Sequence, residues 1–283
     1  MEILWLFIKF TLLTLAIVGI SKYILVKLLR KLGETLNLKP KHIGDITGIA
    51  TSIPELLTVS FSAASGLISA SVSNILSSNV INTVLYTVSI YFNKNFKLLK
   101  NKALIIDILL VLFTIFIPIF MIITNKELNL AIVPLFVLLF ILFYFINFRV
   151  HKIYLKQEEE YIEKEIAYET KWLRGKRKKT IIYTIGLIFS TILLFIIGNS
   201  LSNVLEKLCI TFNISENLIG VLLGFATSIP ELITFFESQK HYKKSHKDKE
   251  GVIEATNNLL SSNILNLFII QSLGIIIYLI IGT

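Results

Sequence analysis

The chain has 283 residues, 54% of them apolar, with 28 Lys and Arg against 19 Asp and Glu, a net charge of +9 and a mean hydropathy of +0.73. That composition places it among polytopic membrane proteins, because runs of about 20 apolar residues match the bilayer core. One cysteine, Cys209, excludes an internal disulfide framework and a multi-cysteine metal site.

Only helices or closed barrels span a membrane, and the chain shows no strand-like alternation, so it is read as helices. The first is predicted at about 3–29. Its apolar run from Ile3 to Ile20 is too long for a typical signal-peptide core and lacks an obvious small-residue cleavage site. The second is predicted at about 43–64, and the third at about 67–92, after a break at Ser65-Gly66. The fourth and fifth fall at about 103–124 and 128–148. A polar segment, 149–179, follows. The sixth, seventh and eighth are predicted at about 180–206, 215–238 and 251–281.

Lysine and arginine set the orientation. With eight crossings, 25 of the 28 basic residues fall on one side, leaving Lys9, Lys126 and Lys207 on the other. By the positive-inside rule the basic side is cytoplasmic and both termini are outside. The positive charge is thus a topology signal and implies no nucleic-acid partner. The segment 149–179 is then a cytoplasmic linker. Its glutamates, Glu158, Glu159, Glu160, Glu163, Glu165 and Glu169, lack the spacing of a calcium loop and read as a charged helix. Its basic tail, Arg174 to Lys179, anchors the sixth helix to anionic lipid. His42, His151, His241 and His246 lie in basic loops and read as solvated.

One segment occurs twice. Gly48 to Thr58 reads GIATSIPELLT, and Gly224 to Thr234 reads GFATSIPELIT. Each is followed by a related stretch, Ser73 to Asn82 (SNILSSNVIN) and Asn257 to Asn266 (NNLLSSNILN). The offset is 176 in the first stretch and 184 in the second, so the second copy carries eight extra residues, most simply in the basic run from Gln239 to Gly251. Paired stretches in matching order are an internal repeat. The first copy begins in a helix running outward and the second in a helix running inward. The repeat is therefore inverted, an arrangement that places substrate at the membrane midplane.

Polar residues within each copy share a face. Thr51, Ser52 and Glu55 put two hydroxyls one turn from a carboxylate, and Thr227, Ser228 and Glu231 do the same. Asn74, Ser78 and Asn82 form a stripe at i, i+4 and i+8, repeated by Asn258, Ser262 and Asn266. Pro54 and Pro230 cannot donate to the carbonyls of Ala50 and Ala226, which then need another partner. Two carboxylates with hydroxyl, amide and loosened carbonyl oxygens make an all-oxygen site suited to hard cations. Such stripes alone more often serve helix packing, but their position after the Glu motif raises the ligand reading above it, less strongly for Asn74 and Asn258. Two intramembrane glutamates in matching frames point to function.

The duplicated TSIPE followed by SSN-x-x-N resembles the paired α-repeats of the cation/calcium exchanger superfamily, over about 45 residues in each half. The resemblance implies an all-α membrane fold of about eight transmembrane helices in an inverted-topology repeat, shortened from the family's usual ten helices. It implies a first repeat over 1–148 (α-repeat about 44–92) and a second over 180–283 (α-repeat about 220–277), joined by 149–179. It further implies ion ligands at Thr51, Ser52, Glu55, Ser78 and Asn82, and at Thr227, Ser228, Glu231, Ser262 and Asn266. The sequence departs from the family at Ala50 and Ala226, where Gly is usual, and at Ser73 and Asn257, where Gly is also usual. Sodium/calcium exchangers commonly have Asp where Asn266 stands.

The implied protein is no enzyme and needs no cofactor. It is a secondary antiporter of the cell or plasma membrane that exchanges a divalent cation, Ca²⁺ first, for Na⁺ by alternating access. The alternatives are H⁺ coupling, or a transport-inactive membrane protein that keeps the fold. Its partners are the transported cations and the lipid bilayer, with no obligate protein partner evident. The topology is open to a direct check. In a Cys209-free background, single cysteines in 149–179 or 239–251 are expected to resist impermeant thiol reagents in intact cells, and cysteines at 126 and 207 to react. External labelling of either basic segment contradicts the orientation.

Overall fold

The computed structural model describes residues 2–36, 38, 40–100, 102–123, 130–162, 173–243 and 247–281. Lys39, Lys126, the stretch 163–172 and residues 244–246 of the basic run lie outside them. Among the described residues the chain is helical and has no strand. α1 (Glu2–Ile20) continues through a π-helical turn (Ser21–Leu25) into α2 (Val26–Thr35). Then come α3 (Pro40–Thr51), α4 (Ile53–Ala64) and α5 (Ile68–Phe92). A 3₁₀ turn (Phe96–Lys100) leads to α6 (Lys102–Ile123), α7 (Ile132–Ile162) and α8 (Leu173–Phe212). α9 (Glu216–Thr227), α10 (Ile229–Lys243) and α11 (Asp248–Ile264) follow, and a second π-helical turn (Leu265–Ile270) leads into α12 (Gln271–Ile281).

The eight predicted helices are present as apolar helical segments. Six of them are long and apolar enough to cross a membrane, and two shorter ones lie at Leu104–Ile117 and Ile132–Asn147. Two details differ from the sequence reading. The second and seventh helices are each two helices, broken at Ser52 and Ser228. The first and the eighth each contain a π-helical turn. The polar segment is helical at both ends, as the charged-helix reading expects, since α7 runs on to Ile162 and α8 starts at Leu173. Hydropathy marks where a helix leaves lipid, not where it stops. No Pro or Gly interrupts 149–162, so nothing ends the helix there.

Burial sorts the helices into a core and a ring. From Gly251 to Leu260 every residue of α11 is buried, although the stretch is rich in polar side chains. α1, α6, α7 and α8 instead expose large apolar residues, such as Leu12, Phe116, Leu138 and Phe189. A polar stripe is tolerated only inside the bundle, and an all-apolar outer surface suits lipid. Two apolar clusters hold the ring to the core. One joins α1, α2 and α8 to α4 and α9 through residues such as Ile17, Leu29, Leu57, Leu194 and Leu223. The other joins α6 and α7 to α5, α10 and α11 through Val111, Phe136, Phe143, Phe235 and Phe268.

The crossings in the core establish the inversion. Gly44 lies against Glu254 and Asn257, and Gly48 against Asn258 and Ser261, so α3 and α11 run side by side in the same direction. Gly220 lies against Ala70 and Ser73, and Gly224 against Asn74 and Ser77, so α9 and α5 are likewise parallel. The chain turns back between α4 and α5 at Ser65-Gly66, where Gly66 takes φ 82°, a conformation that suits glycine. α5 therefore opposes α3, and α9, parallel to α5, opposes its own repeat counterpart α3.

These two crossings depend on glycine at i and i+4 in each repeat, an arrangement that lets helix backbones touch. A Cβ on Gly48 would stand 2.6 Å from the Asn258 carbonyl oxygen, and one on Gly224 would stand 2.8 Å from that of Asn74. Backbone cannot yield as a side-chain tip can. We expect Gly44→Ala and Gly220→Ala each to destabilise the protein by about 1–3 kcal/mol, as overpacked sites do. Gly19→Ala, whose Cβ would meet nothing within 4 Å, should be neutral or mildly stabilising. Thermal unfolding in detergent decides this, and equal midpoints for all three variants would contradict the packing argument.

Candidate cation site

The site starts from two helix breaks. Ser52 has φ −82°, ψ 0° and Ser228 has φ −78°, ψ −6°, each between two helices. Pro54 and Pro230 follow two residues on, in the first turn of α4 and α10, where a missing N–H costs nothing. Glu55 and Glu231 sit in the same first turn, where the helix N-terminus favours a negative charge. The prolines thus do more than free a carbonyl: each ends one helix and begins another, with a carboxylate at the new N-terminus.

All ten candidate ligands are buried, with Glu55, Glu231, Ser78, Asn82, Ser262 and Asn266 at 0% exposure. The Thr51 and Thr227 hydroxyls donate within their own helices, to the Thr47 carbonyl at 2.9 Å and the Leu223 carbonyl at 3.0 Å. Thr51 lies beside Glu231 and Thr227 beside Glu55, and the two carboxylates are near enough to feel each other's charge. Ser52 Oγ lies 2.9 Å from Ser262 Oγ, which donates to Glu231 Oε1 at 3.2 Å. Asn82 Nδ2 reaches Ser262 Oγ at 3.5 Å, and Ser78 Oγ donates to the Gly224 carbonyl at 3.4 Å. Ser228 and Asn266 are buried in the same elements but make no hydrogen bond to the others. Asn74 and Asn258 tie helices together, donating to Thr58 Oγ1 at 2.8 Å and Thr47 Oγ1 at 3.1 Å.

The electrostatic state of this centre stands out against the other interior carboxylates. Glu254 pairs with Arg30 at 2.6 Å, Asp107 faces Lys41 at 3.8 Å, and Asp45 accepts from Ser261 at 2.8 Å. Among the described residues no Lys, Arg or His pairs with Glu55 or Glu231. Both oxygens of Glu55, one of Glu231, the Asn82 carbonyl oxygen and both amide atoms of Asn266 are buried without a partner. Buried charge without a counter-charge is costly, so a cation or protons must complete this centre. No group of three or more His, Cys, Asp or Glu occurs among the described residues, so any bound ion has chiefly neutral oxygens besides the two carboxylates.

Two residues that the polar stripe did not single out lie at the centre of the crossing. Asn79 Nδ2 donates to the Asn263 carbonyl at 3.0 Å, and Asn263 Nδ2 returns the bond to the Asn79 carbonyl at 3.2 Å. They are repeat equivalents at the 184 offset, so their mutual contact marks the pseudo-two-fold axis. Asn263 Oδ1 also accepts from Asn82 Nδ2 at 3.4 Å, joining the axis to the site. Their repeat-matched frame in SSN was the available signal. They lie one residue off the i, i+4 stripe.

An all-helical membrane protein with inverted repeats crossing at a shared polar centre has the architecture of a secondary transporter. Residues 5–149 and 182–282 match the family described as sodium/calcium exchanger protein, and the chain belongs to that family. Among solved structures it resembles the H⁺/Ca²⁺ exchanger CAX, with TM-score 0.62, 15% identity, and coverage of 98% of this chain and 68% of that one. It also resembles the sodium-calcium exchanger NCX_Mj soaked with Na⁺ and zero Ca²⁺, with TM-score 0.56, 18% identity, and coverage of 96% and 83%. The sodium/calcium exchanger from Methanococcus jannaschii gives TM-score 0.52 and 18% identity over 96% and 82%. At these identities the likeness is one of fold. No curated protein matches the chain.

The axial pair has a measurable role. Asn79→Leu and Asn263→Leu are each expected to destabilise the protein by about 1–3 kcal/mol, because each removes the donor to the other residue's buried backbone carbonyl. Each bond survives the other substitution, so the double variant should cost about the sum of the two. A single variant that leaves thermal unfolding unchanged would show that its bond does not hold the axis.

Proposed function

We propose that Glu55 and Glu231 hold a transported cation between the repeats. Thr51, Ser52, Ser78, Asn82, Thr227, Ser228, Ser262 and Asn266 supply its neutral oxygen ligands. The protein is then a secondary antiporter exchanging Ca²⁺ for Na⁺. One observation carries this reading: two fully buried carboxylates from opposite repeats lie near enough to feel each other's charge, and no Lys, Arg or His among the described residues pairs with either. Membership of the sodium/calcium exchanger family supports it. One divalent cation neutralises the pair, and so do two monovalent ones. Counter-ions therefore compete for the same oxygens, and only an occupied, neutralised centre switches access. The repeats, 1–148 and 180–283, move against each other about this centre, with 149–179 on the cytoplasmic side.

Proton coupling is the second reading. Two carboxylates without a third acidic ligand accept two protons as readily as two sodium ions, and one similar structure is of an H⁺/Ca²⁺ exchanger. A single assay separates these readings: ⁴⁵Ca²⁺ uptake into proteoliposomes under an imposed Na⁺ or H⁺ gradient. The wild type is expected to take up Ca²⁺ under the Na⁺ gradient, and Glu55→Gln and Glu231→Gln each to fall to background, since one carboxylate cannot balance a divalent charge in a dry site. Uptake at subsaturating Ca²⁺ should fall as pH falls, because ligating carboxylates must be ionised. Asn266→Asp should tighten Ca²⁺ binding or strengthen dependence on Na⁺. Transport by the Glu-to-Gln variants at the wild-type rate would overturn the site, and no wild-type uptake under either gradient would overturn the exchange mechanism.

A further inference from the structure

The structure holds one more buried polar side chain that the polar stripes do not account for. Gln271 opens α12, is 0% exposed, and has neither amide atom partnered. One contact fixes its level in the bundle: a Cβ on Gly274 of α12 would stand 2.8 Å from Val59 Cγ1 of α4. α4 continues α3, and α12 continues α11 through the π-helical turn, so the two run in the same direction. Glu55 lies one turn before Val59 on the same face of α4. Gln271 lies one turn before Gly274 on the same face of α12. Counted from that contact, Glu55 and Gln271 occupy neighbouring levels on facing helices. The π-helical turn adds Asn266 to this set. The Gln271 N–H bonds the Asn266 carbonyl, a five-residue step that nearly closes one wide turn and brings both amides toward one face.

From these observations we infer that Gln271 is a further ligand of the cation centre, presenting its carbonyl oxygen on the Glu55 side. The inference rests on the cation reading above. Twofold symmetry does not supply this group. Its repeat counterpart, Thr87, is exposed and donates to the Thr83 carbonyl of its own helix at 2.8 Å. The wide turn after Asn266 has no match in the unbroken α5, so the second repeat alone swings an extra amide inward. A neutral oxygen adds coordination without adding charge. Gln271 therefore sets affinity and preference between cations, while the two glutamates set the charge that must be carried. Calcium takes six to eight oxygens and its affinity follows their number and arrangement, so this ligand favours the larger divalent ion.

Gln271→Leu tests the assignment with two readouts on the full chain: ⁴⁵Ca²⁺ uptake into proteoliposomes, and the rise in unfolding temperature that Ca²⁺ gives the detergent-solubilised protein. The Ca²⁺ concentration for half-effect should rise about tenfold or more in both, as loss of a metal-site partner does. The unfolding temperature without cation should stay level or rise, because an unpaired buried amide has been removed. Gln271→Asn, which withdraws the carbonyl by one methylene, should give a smaller loss and serves if the leucine variant does not fold. Unchanged half-effect concentrations would overturn the inference, as would equal destabilisation with and without Ca²⁺, which marks a packing residue. If Glu55→Gln abolishes uptake while the Gln271 variants match wild type, the cation centre stands and only this ligand falls. If wild type shows neither uptake nor Ca²⁺-dependent stabilisation, the cation reading falls and takes the inference with it.

Discussion

Everything in this structure depends on two carboxylates being kept buried without a resident counter-charge. Elsewhere the chain neutralises its interior acids with its own side chains: Arg30 meets Glu254, and Lys41 faces Asp107. At Glu55 and Glu231 it does not. A buried ion pair is a closed arrangement and needs nothing further. An unpaired pair of carboxylates is open, because something mobile must complete it and can also leave it. The charge of the centre is thereby tied to what occupies it, which is the condition an exchanger needs.

The rest of the fold holds that centre together. Four glycines let α3 lie directly on α11 and α9 on α5, so that each repeat closes over the other's site. Because the crossings are between repeats, Thr51 lies beside Glu231 and Thr227 beside Glu55, and Ser52 meets Ser262 of the other repeat. The Asn79–Asn263 pair pins the axis between the halves. In the proposed cation centre neither half has a complete site alone. In that proposal a relative movement of the repeats alters both half-sites at once, which would couple the state of the centre to the direction it faces.

Much of this was legible in the sequence, for definite reasons. Hydropathy must match bilayer thickness, so the helices could be placed. Ionisable residues are rare inside a membrane, so Glu55 and Glu231 declared themselves, and their matching frames gave the inversion. Helix periodicity failed at two kinds of place. It put Thr51 with Glu55 by spacing along one helix but not with Glu231, beside which it also lies across the crossing, because a single sequence shows no crossings. It also assumed 3.6 residues per turn throughout. The breaks at Ser52 and Ser228 and the wide turn at 265–270 rotate the side chains that follow, so Gln271 falls on the buried face where a regular helix would have turned it away. Gly44 and Gly220 carried a readable signal, spaced four residues before Gly48 and Gly224, but its meaning depended on which helices meet.

The most direct test of the central claim is the position of a bound ion. A crystal of the protein soaked in Ca²⁺, or in Sr²⁺ for its stronger anomalous signal, should show one dominant cation peak between α4 and α10. That peak should have oxygens of both Glu55 and Glu231 within about 2.3–2.6 Å for Ca²⁺, slightly farther for Sr²⁺. A cation bound elsewhere, or no peak between the two carboxylates under conditions that support transport, would contradict it.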